Sequence, residues 1–314
     1  MKRFALLFLK GLSMGMADVI PGVSGGTIAF ITGIYEELVE SIGKLDAKAL
    51  RVLFSKGPIA CFKHINGAFL LSVASGIAVS IIGLARFITG LMENEPIKLW
   101  SFFFGLIIAS AVFIGKDIKW SVPKNLIALV IGAVAAYFIS IASPTTEEVG
   151  LVYVFFSGAI AICAMILPGI SGSFILLLLG SYATIFGAIG GLSDAPVENL
   201  PVIMVFLVGA FIGLLSFAKL LKWLFAHYRN LTMALLTGFM IGSLSKVWPW
   251  KEVLSYRINS KGESVPFLES NISPGNYELL IGQSPELFWA IGLALVGMGI
   301  VWALSYFSPE AEAH

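Results

Sequence analysis

The amino-acid sequence predicts an all-α polytopic integral membrane protein built from two inverted repeats, each a Pro-Gly-broken, re-entrant helical hairpin followed by three transmembrane helices. Three observations carry that expectation. Of 314 residues, 58% are hydrophobic and only 12% charged, with a mean hydropathy of +0.92, which excludes an ordinary soluble domain and a disordered chain. One loop is written twice, Pro21-Gly22-Val23-Ser24-Gly25-Gly26 and Pro168-Gly169-Ile170-Ser171-Gly172-Ser173, each time interrupting apolar sequence. Lys and Arg, finally, gather in segments that a single membrane face would receive.

The duplication extends beyond the loops. An offset of 147 residues places Gly11 on Gly158, Pro21 on Pro168, Ser24 on Ser171, Gly33 on Gly180 and Tyr35 on Tyr182. Further on, an offset of 133 places Gly76 on Gly209, Arg86 on Lys219, Gly105 on Gly238 and Ser110 on Ser243, so the same order of elements recurs with a shorter connection. The first repeat is expected over 1–142, with a hairpin at 4–39 and spans at 68–91, 99–115 and 126–142. The second is expected over 150–307, with a hairpin at 151–189, spans at 202–224, 231–247 and 287–306, and an extracytoplasmic loop of mixed charge at 248–286. A crossing takes about 20 apolar residues, and the arm Phe4 to Ile20 is shorter and carries Lys10 and Asp18. The first hairpin therefore reads as re-entrant. The second has longer arms, and re-entry or a full crossing both remain open.

If both hairpins return to their own side, one face receives Lys2, Arg3, Lys10, the cations from Lys44 to Lys63, Lys116 to Lys124, Lys219, Lys222 and Arg229. By the positive-inside rule that face, with both termini, is cytoplasmic. Each half then makes an odd number of crossings, so the halves are inverted. Cys61 and Cys163 have neither metal-ligand spacing nor a disulfide framework. His64 and His227 fall in basic loops without an evident role. No metal, cofactor or nucleic-acid partner is indicated.

Backbone that is not helical survives in hydrocarbon only when buried in protein or lining a cavity, and broken helices in matching halves point to a transporter's site. Pro and Gly end the incoming helix, while Ser24 or Ser171 stands where an N-cap starts the next. Exposed N–H groups there would make an anion site. The alternative is a Gly- and Ser-rich helix-packing surface, common in membrane bundles. Asp18, three residues before Pro21, costs about 2.5–3.5 kcal/mol on insertion scales, so it must be paired, protonated or hydrated. Met165 replaces it in the second half. Arg86 is placed to receive an anionic head group, or else to snorkel to the interface. Glu36 and Glu37 are candidate proton carriers, or a solvated interfacial pair.

The paired segments Asp18-Val-Ile-Pro-Gly-Val-Ser-Gly-Gly-Thr27 and Met165-Ile-Leu-Pro-Gly-Ile-Ser-Gly-Ser-Phe174 resemble the bacterial polyprenyl-phosphate transporter family, the PopT type formerly called domain of unknown function 368, over nearly the whole chain. The resemblance implies a non-enzymatic flippase of the bacterial cytoplasmic membrane that returns undecaprenyl phosphate, the lipid carrier of cell-wall precursors, from the outer to the inner leaflet. It implies phosphate contacts from Pro21, Gly22, Ser24, Gly25, Gly26 and Thr27 and from Pro168, Gly169, Ser171, Gly172 and Ser173. Arg86 is added as a phosphate ligand, and Asp18, Glu36 and Glu37 as candidates for proton coupling. Two other classes remain. A membrane lipid phosphatase carries a similar Pro-Gly-x-Ser loop, but with an Arg that is missing here, and phosphoryl transfer needs such positive charge. A small-anion transporter would keep the loops without opening to lipid.

Overall fold

The computed structural model describes residues 2–19, 23–142, 150–192, 195–258 and 264–306. The chain begins with α1 (Lys2–Val19), α2 (Gly25–Ile31) and α3 (Tyr35–Gly43). Three contacts align them: Gly25 N–H on Asp18, Lys10 Nζ on the Thr32 carbonyl at 2.6 Å, and Arg3 on Glu37 at 2.6 Å. One partner number rises as the other falls, which is the signature of a hairpin. Seven residues in α2 rise only about 10 Å, well short of a hydrocarbon core of about 30 Å.

Two short helices follow, α4 (Ala47–Lys56) and α5 (Pro58–His64), in a stretch read from sequence as a basic loop. Asp46 caps α4 by accepting from Lys48 and Ala49 N–H at 2.9 and 3.0 Å, a cap worth about 1 kcal/mol. Gly57, at φ +85°, makes the turn between them. His64 thus closes a helix rather than sitting in a loop. Phe54 and Ile59 are largely exposed alongside Lys56 and Lys63, as expected of helices that lie on a membrane face.

The long helices α6 (Gly67–Asn94), α7 (Pro96–Gly115) and α8 (Pro123–Ile141) come next. A second hairpin follows, made of α9 (Leu151–Ile166), α10 (Gly172–Leu178) and α11 (Tyr182–Gly190), with α10 and α11 bent by 112°. The turns inside the two hairpins match: Gly33 and Gly180 have φ of +71° and +69°, and Ile34 N–H to Ala29 O corresponds to Ser181 N–H to Leu176 O. Only glycine adopts this φ without strain.

Beyond this point α12 (Pro196–Gly242) comprises two helical limbs that meet at a kink where Tyr228 leaves helical geometry at φ −136°, ψ 43°, and the limbs cover the expected spans 202–224 and, in large part, 231–247. The joining residues contain neither Gly nor Pro, so helix persists on both sides of a one-residue break, and His227 is helical. One expectation is corrected: the chain is not all-α, because the loop 248–286 contains an antiparallel hairpin of β1 (Lys251–Ile258) and β2 (Ser264–Asn271), then α13 (Pro274–Ile281). The strands carry Val253, Tyr256, Phe267 and Leu268 among polar residues, a mixture too polar for a span and suited to a half-buried ribbon. The last helix is α14 (Leu287–Tyr306).

By length and composition α6, α7, α8 and α12 can cross a membrane, and α10 with α11 makes a fifth if the bent pair is one span. Close helix approach is built on glycine. Gly11 of α1 abuts the Val73 carbonyl and Gly76 of α6 abuts Phe8, while Gly158 of α9 abuts Phe206 and Gly209 of α12 abuts Phe155. The third spans are exchanged: α7 packs on α14 through Gly105 and Gly297, and α8 packs on the second limb of α12 through Gly132, Gly238 and Gly242. With no hydrophobic effect between helices in lipid, such backbone proximity supplies the dispersion and Cα–H contacts that hold them. The central cluster includes Val23, Ile28, Phe30, Tyr35, Phe103, Ile107, Ile166, Leu236 and Met240, so both loop regions border one core.

Candidate functional site

The loops that the sequence writes 147 residues apart meet in that core. Ser24 is the N-cap of α2, with φ −124° and ψ 138°. Its Oγ accepts from Gly26 N–H at 3.0 Å and donates to the Met165 carbonyl at 2.8 Å. Gly169 N–H donates to Thr27 Oγ1 at 2.8 Å. Gly26 lies against the Ile166 carbonyl so closely that a Cβ would overlap it. Two reciprocal side-chain bonds and one glycine contact therefore tie the first loop to the second.

Asp18 enters from α1. Its Oδ1 accepts from Gly25 N–H at 2.6 Å, short enough for a charge-assisted bond. This changes the expectation of exposed N–H groups: Gly25 is satisfied by the protein's own carboxylate and Gly26 by Ser24, because an unpaired donor here costs about 1–3 kcal/mol. The place an external anion would take at Gly25 is held by an internal one. In the second loop Pro168, Gly169, Ser171 and Gly172 are buried. Gly169 has φ +89° and lies against Ser243 and the Phe239 carbonyl. Ser171 and Ser173 share a hydrogen bond at 2.9 Å, and Ser157 and Ser181 share one nearby at 2.7 Å, joining α9 to the start of α11.

The expected site residues do not all assemble. Pro21 and Gly22 lie outside the described residues, as does the side chain of Arg86. Glu36 and Glu37 are on α3, away from the hydroxyl cluster. Glu36 pairs with Arg229 at 3.0 Å, and Glu37 with Arg3 at 2.6 Å and Asn66 Nδ2 at 2.9 Å. These exposed pairs tie α3 to α1 and α12, each worth about 0–1 kcal/mol. Lys219 is exposed on α12.

Ser24 and Thr27 are 1% and 0% exposed, so ligand access to this pair requires the loops to part. A cleft of about 560 Å3 between α7, α8 and α12, lined by Ile108, Val112, Leu129 and Ile241 with Lys116 and Trp120, contains no residue of either loop. Sequence reasoning did not find the Met165 and Ile166 carbonyls as partners of the first loop. Backbone acceptors leave no trace in residue identity.

Comparison with known proteins follows the same residues. The family model described as VCA0040-like, undecaprenyl phosphate translocase-like, matches residues 14–265, a stretch that takes in Asp18 and both loops. A protein of Vibrio cholerae serotype O1 named polyprenyl-phosphate transporter is 48% identical over 303 residues, covering 96% of each chain. One of the same name from Staphylococcus aureus is 29% identical over 253 residues, covering 77% of this chain and 85% of the relative. No solved structure matches this chain. With a match spanning both loops and a near full-length relative, the chain belongs to the undecaprenyl phosphate translocase-like family.

Proposed function

We propose that this protein carries a polyprenyl phosphate, undecaprenyl phosphate in the first instance, from the outer to the inner leaflet of the bacterial cytoplasmic membrane, returning the carrier for cell-wall synthesis. The observation that carries this reading is the cross-bracing of the two Pro-Gly loops through Ser24, Thr27, Met165 and Gly169, in a family whose relatives bear the transporter name. Both loops belong to broken hairpins, and Ser24, Thr27 and Ser171 are buried. On opening, Ser24, Thr27, Ser171 and Ser173, with the N–H groups of Gly25, Gly26 and Gly169, offer a phosphate the donors it needs. Pro21, Gly22, Pro168 and Gly172 shape the loops, and the prenyl chain stays in the bilayer.

The chain works as two inverted halves, 1–142 and 150–307. The parallel pairing of α1 with α6 and of α9 with the first limb of α12, together with the exchanged third spans, supports that reading. Each loop then serves one leaflet in turn. Asp18 couples the cycle to protons: a proton on its carboxyl weakens the bond to Gly25 and releases that N–H to the phosphate. Arg86 captures head groups near the outer face, so Arg86→Gln is expected to slow uptake more than Arg86→Lys. This reading needs no catalysis, and neither loop carries in its own sequence the arginine or histidine that phosphoryl transfer would use.

Transport is tested in proteoliposomes carrying undecaprenyl phosphate in one leaflet. Protein-dependent movement of the lipid with its phosphate intact is the expected result. Phosphate release would assign an enzyme, and equal movement of inorganic phosphate a small-anion transporter. The inverted arrangement has its own test in a background lacking Cys61 and Cys163. Ser55→Cys at the end of α4 should react with an impermeant thiol reagent only after cells are opened, and Glu198→Cys at the start of α12 should react from outside. Labelling of both from one side rejects the arrangement.

A further inference from the structure

Beneath the β1–β2 hairpin lies a second charged cluster that the loops do not use. Lys246, just after the second limb of α12, and Lys251, at the start of β1, both point at one oxygen of Glu269 on β2, at 3.7 and 3.4 Å. Their side chains are 19% and 8% exposed, that of Glu269 26%. Each ammonium also sits over an aromatic face: Lys251 is 4.1 Å from the Trp100 ring on α7, and Lys246 is 4.4 Å from the Phe174 ring on α10. Phe174 directly follows Ser173, so the cluster abuts the second loop.

Among the described residues two cations share one carboxylate, which leaves an excess positive charge largely shielded from water. Burial alone argues against that arrangement, since a desolvated charge without a full partner is costly. Desolvation pushes the Lys251 ammonium down to about 8 and lowers Lys246 as well, with Glu269 only partly opposing the shift. Burial raises the Glu269 carboxyl, yet the two ammoniums outweigh it and hold it below its ordinary value. The aromatic faces offset part of the cost, but they leave the charge unbalanced. A structural ion pair needs one lysine, and a site for a doubly charged anion needs two.

Resting on the function proposed above, we infer that Lys246 and Lys251 form a receiving site for a phosphomonoester head group, with Glu269 as the resident anion it displaces on its way to Ser171 and Ser173. A phosphomonoester carries roughly 1.5–2 negative charges at neutral pH and three acceptor oxygens. It matches two ammoniums better than a single carboxylate does. On the proposed topology this cluster is at the outer face, where the lipid is collected.

The test measures binding of undecaprenyl phosphate in nanodiscs to the purified full-length protein, with inorganic phosphate as the second probe. Lys246→Met and Lys251→Met should each weaken lipid binding by about tenfold or more, the loss of one charge-assisted hydrogen bond, whereas Lys251→Arg should largely retain it. Glu269→Gln should bind the lipid several-fold more tightly, because the competing carboxylate is gone. A purely structural clamp gives the opposite: Glu269→Gln binds no better, and the lysine variants lose melting temperature at unchanged affinity. That result overturns the inference. Equal affinity for inorganic phosphate and the lipid overturns the head-group assignment. If either single methionine variant does not fold, Lys251→Met combined with Glu269→Gln removes the pair together and serves the same comparison with Glu269→Gln alone. Unmutated protein that binds no polyprenyl phosphate would instead count against the proposed function. Binding by unmutated protein that the lysine variants leave unchanged removes only this site.

Discussion

Gly26→Val is expected to abolish transport in proteoliposomes while Gly83→Val leaves it unchanged. A Cβ at Gly26 overlaps the Ile166 carbonyl, which belongs to backbone and cannot rotate away, whereas a Cβ at Gly83 on α6 meets nothing within 4 Å. Valine therefore forces the two loops apart. It takes with it the bonds from Ser24 to Met165 and from Gly169 to Thr27, which span the same gap. Overpacking of this kind costs about 1–3 kcal/mol, and each lost buried bond about 1 kcal/mol more. Gly26→Ala should fall between unmutated protein and valine. Size-exclusion profiles and melting temperature separate loss of the site from loss of the fold. A folded Gly26→Val protein that transports at the normal rate would place the phosphate away from the junction of the loops.

Asp18→Asn is expected to abolish the response of transport to a proton gradient while preserving the loop geometry. Asparagine still offers an oxygen to Gly25 N–H, so the 2.6 Å contact has an isosteric replacement. What disappears is the titratable oxygen. Moving roughly 1.5–2 negative charges inward against 100 mV, at about 2.3 kcal/mol per charge, costs about 3.5–4.6 kcal/mol. At about 1.4 kcal/mol per tenfold, this is roughly a 300- to 2,000-fold disadvantage in distribution. Each coupled proton cancels one charge and adds about 1.4 kcal/mol per pH unit. In liposomes, unmutated protein should therefore accumulate lipid phosphate on the inner leaflet when protons flow inward, and Asp18→Asn should only equilibrate it. Glu36→Gln and Glu37→Gln should keep the response, because their carboxylates are committed to Arg229 and Arg3 at an exposed surface. An unmutated protein indifferent to the gradient would be a passive flippase with Asp18 as a structural acceptor.

Residue identity alone determined the class of this protein and the likeness of its two loops. Hydropathy reports the solvent a segment must live in, and Pro-Gly-x-Ser-Gly breaks a helix wherever it occurs, so apolar helices and the two broken hairpins are local properties of the chain. The repeated glycine positions were legible for the same reason: Gly33 and Gly180 adopt the same left-handed turn because their neighbours impose the same local requirement. Tertiary structure decided what local chemistry cannot encode. That Gly25 N–H is held by Asp18, that Ser24 meets a backbone carbonyl of Met165, and that Gly169 finds Thr27 depend on partners far along the chain or on backbone atoms that every residue possesses. Residue identity gives Lys246, Lys251 and Glu269 no relation to one another. Only the pairing of β1 with β2, set against Trp100 and Phe174, brings them together out of water, because the dielectric around a charge is a property of everything that surrounds it and not of its position in the sequence.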